Sequence, residues 1–161
     1  METDIIQGLN SYLTFQLGEE RFAVNIGHVK KILEMTEVTK VPHVPDYYKG
    51  VINLFGDVLP VVSTRQRFGM DLVDYTEKTC IVVLMLANNE DSFSVGLVVD
   101  QVHQVIRIED EQMKSTPDFG KRFEHDFIKS IASIGDEFII ILDVDNLFNA
   151  EELEFINPVN S

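Results

Sequence analysis

Much of what announces an enzyme or a nucleic-acid binder is missing from this sequence. The one cysteine, Cys80, has no partner for an internal bridge, and its place beside an apolar run reads as a buried thiol behaving as a small hydrophobe. Basic side chains are scarce: thirteen Lys and Arg stand against twenty-seven Asp and Glu, a formal charge of −14. That is the wrong sign for affinity built on neutralising phosphates or anionic lipid heads, which argues against nucleic acid and against direct membrane insertion. No apolar run is long, since Ile81–Ala87 falls far short of the ~20 residues that span a bilayer. The opening METDIIQ lacks the basic start and apolar core of an export signal, so the expected location is the cytoplasm.

Catalytic and cofactor motifs are missing too. There is no G-x-S-x-G elbow, no G-x-x-x-x-G-K phosphate cradle, no G-x-G-x-x-G and no paired-cysteine motif. His28, His43, His103 and His125 lie far apart, with no spacing that sets two on one helical face as metal ligands. Asp143-Val-Asp145-Asn146 resembles the start of a calcium loop, but Leu147 and Phe148 stand where that loop needs an oxygen ligand and a glycine. No catalytic residue, metal site or cofactor is therefore expected. Asp57 and Asp136, the acids a hydrolase would use, sit on what reads as a repeated turn.

What is present is an internal echo. YLTFQL-GEER-FAVNI-VKKIL, over 12–33, parallels IVVLML-ANNEDS-FSVGLVV-VHQVI, over 81–106, so that Phe22 answers Phe93 and Val24 answers Val95. A second pair follows in the same order: 49–68 parallels 129–148, with Gly56-Asp57 matching Gly135-Asp136 after a one-residue slip. Two repeats in the same order predict two similar β-lobes. With 45% apolar residues in 161, the chain has enough to bury a core.

Alternation in Leu13, Phe15, Leu17 and in Phe22, Val24, Ile26 predicts a hairpin turning at Gly18-Glu19-Glu20. Val29–Leu33 is ambiguous between strand and helical turn, and Pro42 and Pro45 hold Val38–Val44 extended. Two strands surround Phe55-Gly56-Asp57, with Pro60 hinting at an edge or bulge. Ser63-Thr64 can cap a short helix that Gly69 ends. The acidic stretch MDLVDYTEK reads as the connection between lobes, and Asn88–Ser92 as a longer hairpin loop. Ile81–Leu86 and Phe138–Leu142 show no alternation, as suits strands covered on both faces. Ile108–Phe127 reads as loop with a brief helical turn, and Asp145 or Asn146 as the cap of a final helix packed through Leu147, Phe148 and Leu153. With no chemistry in view, the groove between lobes and the exposed strand edges are where another protein would dock.

These segments, from YLTFQLGEERFAVNI to the closing FIIILDVDNLF and above all KGVINLFGDVLPVV, resemble the chemotaxis coupling protein CheW family over nearly the whole chain. The resemblance implies a mainly β fold of two small five-stranded SH3-like barrels with a few short helices. They form one domain over 1–161: lobe 1 about 12–75, lobe 2 about 76–150, and a C-terminal helix about 145–156. It implies a non-catalytic adaptor between the regulatory domain of a CheA-type histidine kinase and the cytoplasmic tips of methyl-accepting chemoreceptors, clustered at the inner membrane through those receptors. The alternatives are a divergent scaffold of a surface-motility or other pathway, or a small-ligand sensor using the inter-lobe groove. Positions matching the family's receptor contacts are Val29, Lys31, Gly50 and Phe55. Kinase contacts are assigned by the resemblance to the first barrel, where Val41, Val44 and Tyr47 are the expected exposed apolar positions. Three residues depart from the family pattern: Lys31 replaces a usual glutamate, Phe55 a usual arginine and Ser63 a usual aspartate.

Overall fold

Each repeat opens with a hairpin. In the computed structural model, which describes residues 10–88, 91–114 and 127–156, β1 (Ser11–Leu17) and β2 (Glu20–Asn25) pair around a turn at Gly18, and Phe15 faces Phe22. The second hairpin joins β6 (Cys80–Asn88) to β7 (Asp91–Val99), with Leu86 facing Phe93. Its pairing runs out to Asn88 and Asp91, so the ladder reaches well into the segment expected to be loop.

Each hairpin is followed by a strand and a second hairpin. After β2 come β3 (Val29–Glu34), β4 (Tyr48–Leu54) and β5 (Asp57–Ser63). After β7 come β8 (Gln101–Arg107), the two-residue β9 (Met113–Lys114), β10 (Ile128–Ile134) and β11 (Glu137–Leu142). Val29–Leu33, ambiguous in sequence, is thus a strand: half-buried and exposed positions alternate along it.

The strands assemble into two sheets, ordered β8-β1-β2-β11-β10-β9 and β3-β6-β7-β5-β4. Exchanging β1, β2, β3, β4 and β5 with β6, β7, β8, β10 and β11 converts the second order into the first, apart from the added edge strand β9. The parallel contacts correspond (β2 with β11, β7 with β5), and so do the bulges at Tyr48/Gly50 and Ile128/Ser130. The duplication read from sequence is therefore present strand for strand.

The lobes are not, however, the two halves of the chain. The first hairpin sits in a sheet with β8 to β11, and the second sits with β3 to β5, so the expected division near residue 75 is replaced by an exchange of hairpins. The chain crosses between sheets at the 3-10 turn Ile26–His28 and again at Asp100. The acidic stretch about 70–78 instead joins two strands of one sheet, β5 and β6. Each hairpin thus meets its parallel neighbour in the other repeat, β2 beside β11 and β7 beside β5.

Three apolar clusters follow from this. Ile52, Leu59, Val61, Ile81, Val83 and Val98 fill one lobe. Tyr12, Ala23, Ile108, Ala132, Ile139 and Ile141 fill the other. Between the sheets lies the largest, built from the opposite faces of the same strands: Phe15, Val24, Val82, Leu84, Leu97 and Ile140 among them. Strand β6, and β11 from Ile139 onward, thus bury both faces, which is the reason their sequences do not alternate; Phe138, expected to be covered as well, is 58% exposed. In one lobe Thr39, beyond β3, exchanges hydrogen bonds with Val51 of β4 at 2.9 and 2.8 Å; in the other β9, beyond β8, pairs with β10. These pairings carry the chain from one edge of each sheet toward its opposite edge, consistent with two lobes.

Ser63 caps α1 (Thr64–Arg67), its Oγ accepting from the Gln66 N–H at 3.2 Å, and Gly69 follows at φ 78°. The final helix, α2 (Ala150–Ile156), starts later than expected. Val144–Asn146 is a separate 3-10 turn, and Asn149 is the cap, with Oδ1 accepting from Glu152 N–H and its own N–H donating to Glu152 Oε1. Leu147 and Phe148 are buried and Leu153 packs on the core as expected. The brief helical turn after Ile108 is Asp110–Gln112. Among the described residues no helix is long and apolar enough to cross a membrane.

Candidate functional site

The turn between β4 and β5 carries the most exposed large apolar side chain among the described residues. Phe55 is 87% exposed and has φ 54°, and Gly56 follows with φ 91°. Asn53 Oδ1 accepts from the Gly56 N–H at 2.7 Å, holding the turn in this form. A bulky residue at positive φ is strained, and here no burial of the ring compensates it. Such strain at an exposed aromatic is characteristic of contact surfaces.

Lys31, on β3, meets this turn: its Nζ lies 4.5 Å from the centroid of the Phe55 ring. Two of the three departures from the family pattern therefore touch each other. Where the pattern has a carboxylate and a guanidinium, this chain has a cation and a π face. Val29, on the same strand, is half-buried and packs against the main core.

Gly50 is placed differently. It is buried at φ 143°, and a Cβ there would stand 2.0 Å from the Thr39 carbonyl oxygen. Its task in this fold is to let the chain about Val38-Thr39 cross β4 at close range. Of the four positions matched to receptor contacts, the exposed Phe55 and the half-buried Lys31 form one pair, Val29 lies half-buried on the Lys31 strand, and Gly50 sits beneath another segment.

Val41, Val44 and Tyr47 all lie half-buried against the main core rather than standing out from it. The Tyr47 ring stacks on Phe148, centroids 6.2 Å apart, and its hydroxyl donates to Glu152 Oε2 at 2.8 Å. Burial first, and then Glu152, raise the Tyr47 phenol well above its usual range. Glu152 also receives Arg67 Nη2, which donates in addition to the Leu147 carbonyl at 2.8 Å. The Arg67 guanidinium is surrounded by the rings of Tyr47, Phe127 and Phe148, at 5.7, 5.2 and 5.7 Å. This aromatic enclosure pins α2 against the proline-bearing segment, and nothing in sequence spacing marks it.

A second unforeseen group fastens the lobes. Arg65 donates to Asp100 through both Nε, at 2.8 Å, and Nη2, and the Gly18 N–H donates to the same carboxylate at 2.7 Å. Asp100 is thus shared between α1, the first hairpin turn and the β7–β8 crossing. Burial pushes its carboxyl upward, but the Arg65 hydrogen bonds, the Gly18 N–H and the Arg65 charge outweigh that and hold it below the usual carboxylate range.

Two exchanged, duplicated β-lobes with an exposed aromatic–cation pair at one turn define a docking module. A CheW-like domain model matches residues 11–152, and the chain belongs to that family. It is 34% identical over 150 residues to a chemotaxis protein CheW of Rhizobium meliloti, covering 93% of this chain and 94% of that one. To a chemotaxis protein CheW of Klebsiella aerogenes it is 31% identical over 148 residues, covering 92% and 87%. The scaffolding protein TtCheW from Thermoanaerobacter tengcongensis superposes with a TM-score of 0.79 at 28% identity, covering 89% of this chain and 94% of that one.

Proposed function

We propose that this protein is a chemotaxis scaffold that couples a CheA-type histidine kinase to the cytoplasmic tips of chemoreceptors, without chemistry of its own. The observation that carries the reading is the shared core between the two sheets, which makes the lobes one rigid body able to hold two partners at fixed geometry. Receptor recognition is assigned to the Lys31–Phe55 pair, with Val29 beside it on the same strand. Gly50 contributes by shaping the turn-bearing hairpin. The exposed ring gives an apolar anchor, and the neighbouring ammonium favours an acidic group on the receptor. Kinase recognition is assigned to the segment bearing Val41, Val44 and Tyr47, through the edges these residues leave at the surface. The protein works in the cytoplasm, gathered at the inner membrane through its receptors.

The test is receptor control of the kinase. Added to kinase and receptor-bearing membranes, the wild-type chain should raise kinase autophosphorylation and make it fall when attractant is added. Kinase output unaffected by the chain would refute the reading.

A further inference from the structure

The two lobes differ at one place where their duplication would make them alike. β11 meets β2 at Arg21, Phe22 and Ala23, with Ile141 opposite Ala23. Counting from the matched β4–β5 and β10–β11 turns, Val61 stands where Ile141 stands; the β6–β7 hairpin is two pairs longer at its tip than β1–β2, and the pairings of β1 with β8 and of β6 with β3 put Gly96 of β7 where Ala23 stands. Val61 accordingly lies opposite Gly96, but the pairing of β5 with β7 covers only Val61–Ser63 and Gly96–Val98, so the counterparts of the Ile139–Arg21 and Ile140–Phe22 pairs are missing.

Pro60 gives the physical reason. It occupies the position of Ile140, which pairs with Phe22, and a proline nitrogen has no hydrogen to donate. β5 is an inner strand, between β7 and β4, so the edge position that Pro60 hinted at is instead an interruption inside a sheet. Upstream of it the two strands part. Asp57–Leu59 and Ser92–Ser94 then face each other across a cleft of about 500 Å³, with Leu54, Leu59, Met85 and Phe93 in its lining together with the charged Lys30 and Asp57. The other edge of β7 is paired with β6 from Asp91 to Val99, so the cleft-facing backbone groups of Ser92–Val95 are the ones without a ladder.

We infer that the cleft between β5 and β7 is a binding site for an extended, basic-and-apolar peptide segment of a partner protein, which pairs its backbone with the Ser92–Val95 edge. Donors and acceptors at strand spacing are matched by another extended backbone and poorly by a helix or a small molecule. An apolar side chain of the peptide lies against Leu54, Met85 and Phe93, and a basic one beside Asp57. The chain's charge of −14 favours a basic segment over an acidic one. The cleft adjoins the turn that bears Phe55, with Leu54 and Gly56 in its lining, but it contains none of the residues assigned to receptor or kinase and does not depend on those assignments.

The test uses the full-length protein and the probe acetyl-Lys-Val-Lys-Val-Lys-Val-amide, followed by amide hydrogen exchange and fluorescence titration. Saturable binding is expected, with exchange slowed at Ser92–Val95. Binding should weaken about tenfold or more when alternate probe amides are N-methylated, and similarly in Met85→Gln of unchanged melting temperature. Equal binding of the N-methylated probe or of a Lys-Gly repeat would reduce the site to charge attraction and overturn the proposal. So would protection confined to other strands, or no binding.

Discussion

The ammonium of Lys31 stands 4.5 Å from the centre of the Phe55 ring, so a strand cation steadies an aromatic that the turn holds out in solvent. The left-handed backbone of Phe55 costs of order 1–2 kcal/mol, and an exposed cation–π contact returns about 0.5–1 kcal/mol. The balance is unfavourable to stability. Phe55→Asn, which creates an Asn-Gly pair suited to positive φ at both positions, should therefore raise unfolding free energy by about 0.5–1 kcal/mol in urea melts. The same change, and Phe55→Ala, should weaken receptor-tip binding in titration calorimetry. Unaltered affinity in both would remove the ring from the contact.

Gly50 and Gly56 make a contrasting pair of backbone tests. Gly50→Ala drives a Cβ into the Thr39 carbonyl and should cost about 2–3 kcal/mol. Gly56→Ala meets open space and pays only for its positive φ, about 1 kcal/mol. Equal losses in denaturant melts would mean that Gly50 is not a crossing point.

Asp100 makes stability depend on acid. Its carboxyl is held below the ordinary value, so its contribution is complete above the unfolded carboxylate value near 3.9 and is lost as pH falls through the lower folded value. Asp100→Asn should lose about 1–3 kcal/mol at neutral pH, and the gap from wild type should close below about pH 4. A gap that stays constant down to pH 2 would show that the ion pair contributes nothing.

Val44 separates contact from packing. Val44→Asp should cost more than about 1 kcal/mol of kinase-domain affinity while the melt keeps a single cooperative transition. Collapse of the fold would show that Val44 only covers the core on which it packs. Arg67→Met supplies the structural reference: it leaves Glu152 without its guanidinium and should lower stability by about 3 kcal/mol.

The sequence made the duplication legible because each repeat preserves its own local signals. Phe22 and Phe93 sit at the same place in their hairpins, and turns fall where Gly and Asp allow them. The unbroken apolar runs of β6 and β11 disclosed burial on both faces. The exchange of hairpins left no such trace, because the choice between two similar partner sheets depends on which parallel neighbour each hairpin meets, not on residue type along either strand. Gly50 shows the same limit at one residue: its family match to receptor contacts was visible, whereas its clash with Thr39 exists only once the chain has folded across β4. The Arg67 enclosure joins α1 to residues some eighty positions away, and no periodicity encodes such a distance. Val41, Val44 and Tyr47 were apolar enough to be noticed, but pattern alone cannot say whether such bulk faces a partner or the protein's own core.

The coupling role is tested most directly by sedimentation velocity on this protein mixed with a CheA-type regulatory domain and a receptor-tip fragment. A boundary containing all three is expected, faster than either binary complex, and it should be lost when Phe55 is replaced by alanine while the kinase-domain complex persists. Two binary complexes that exclude each other would contradict it.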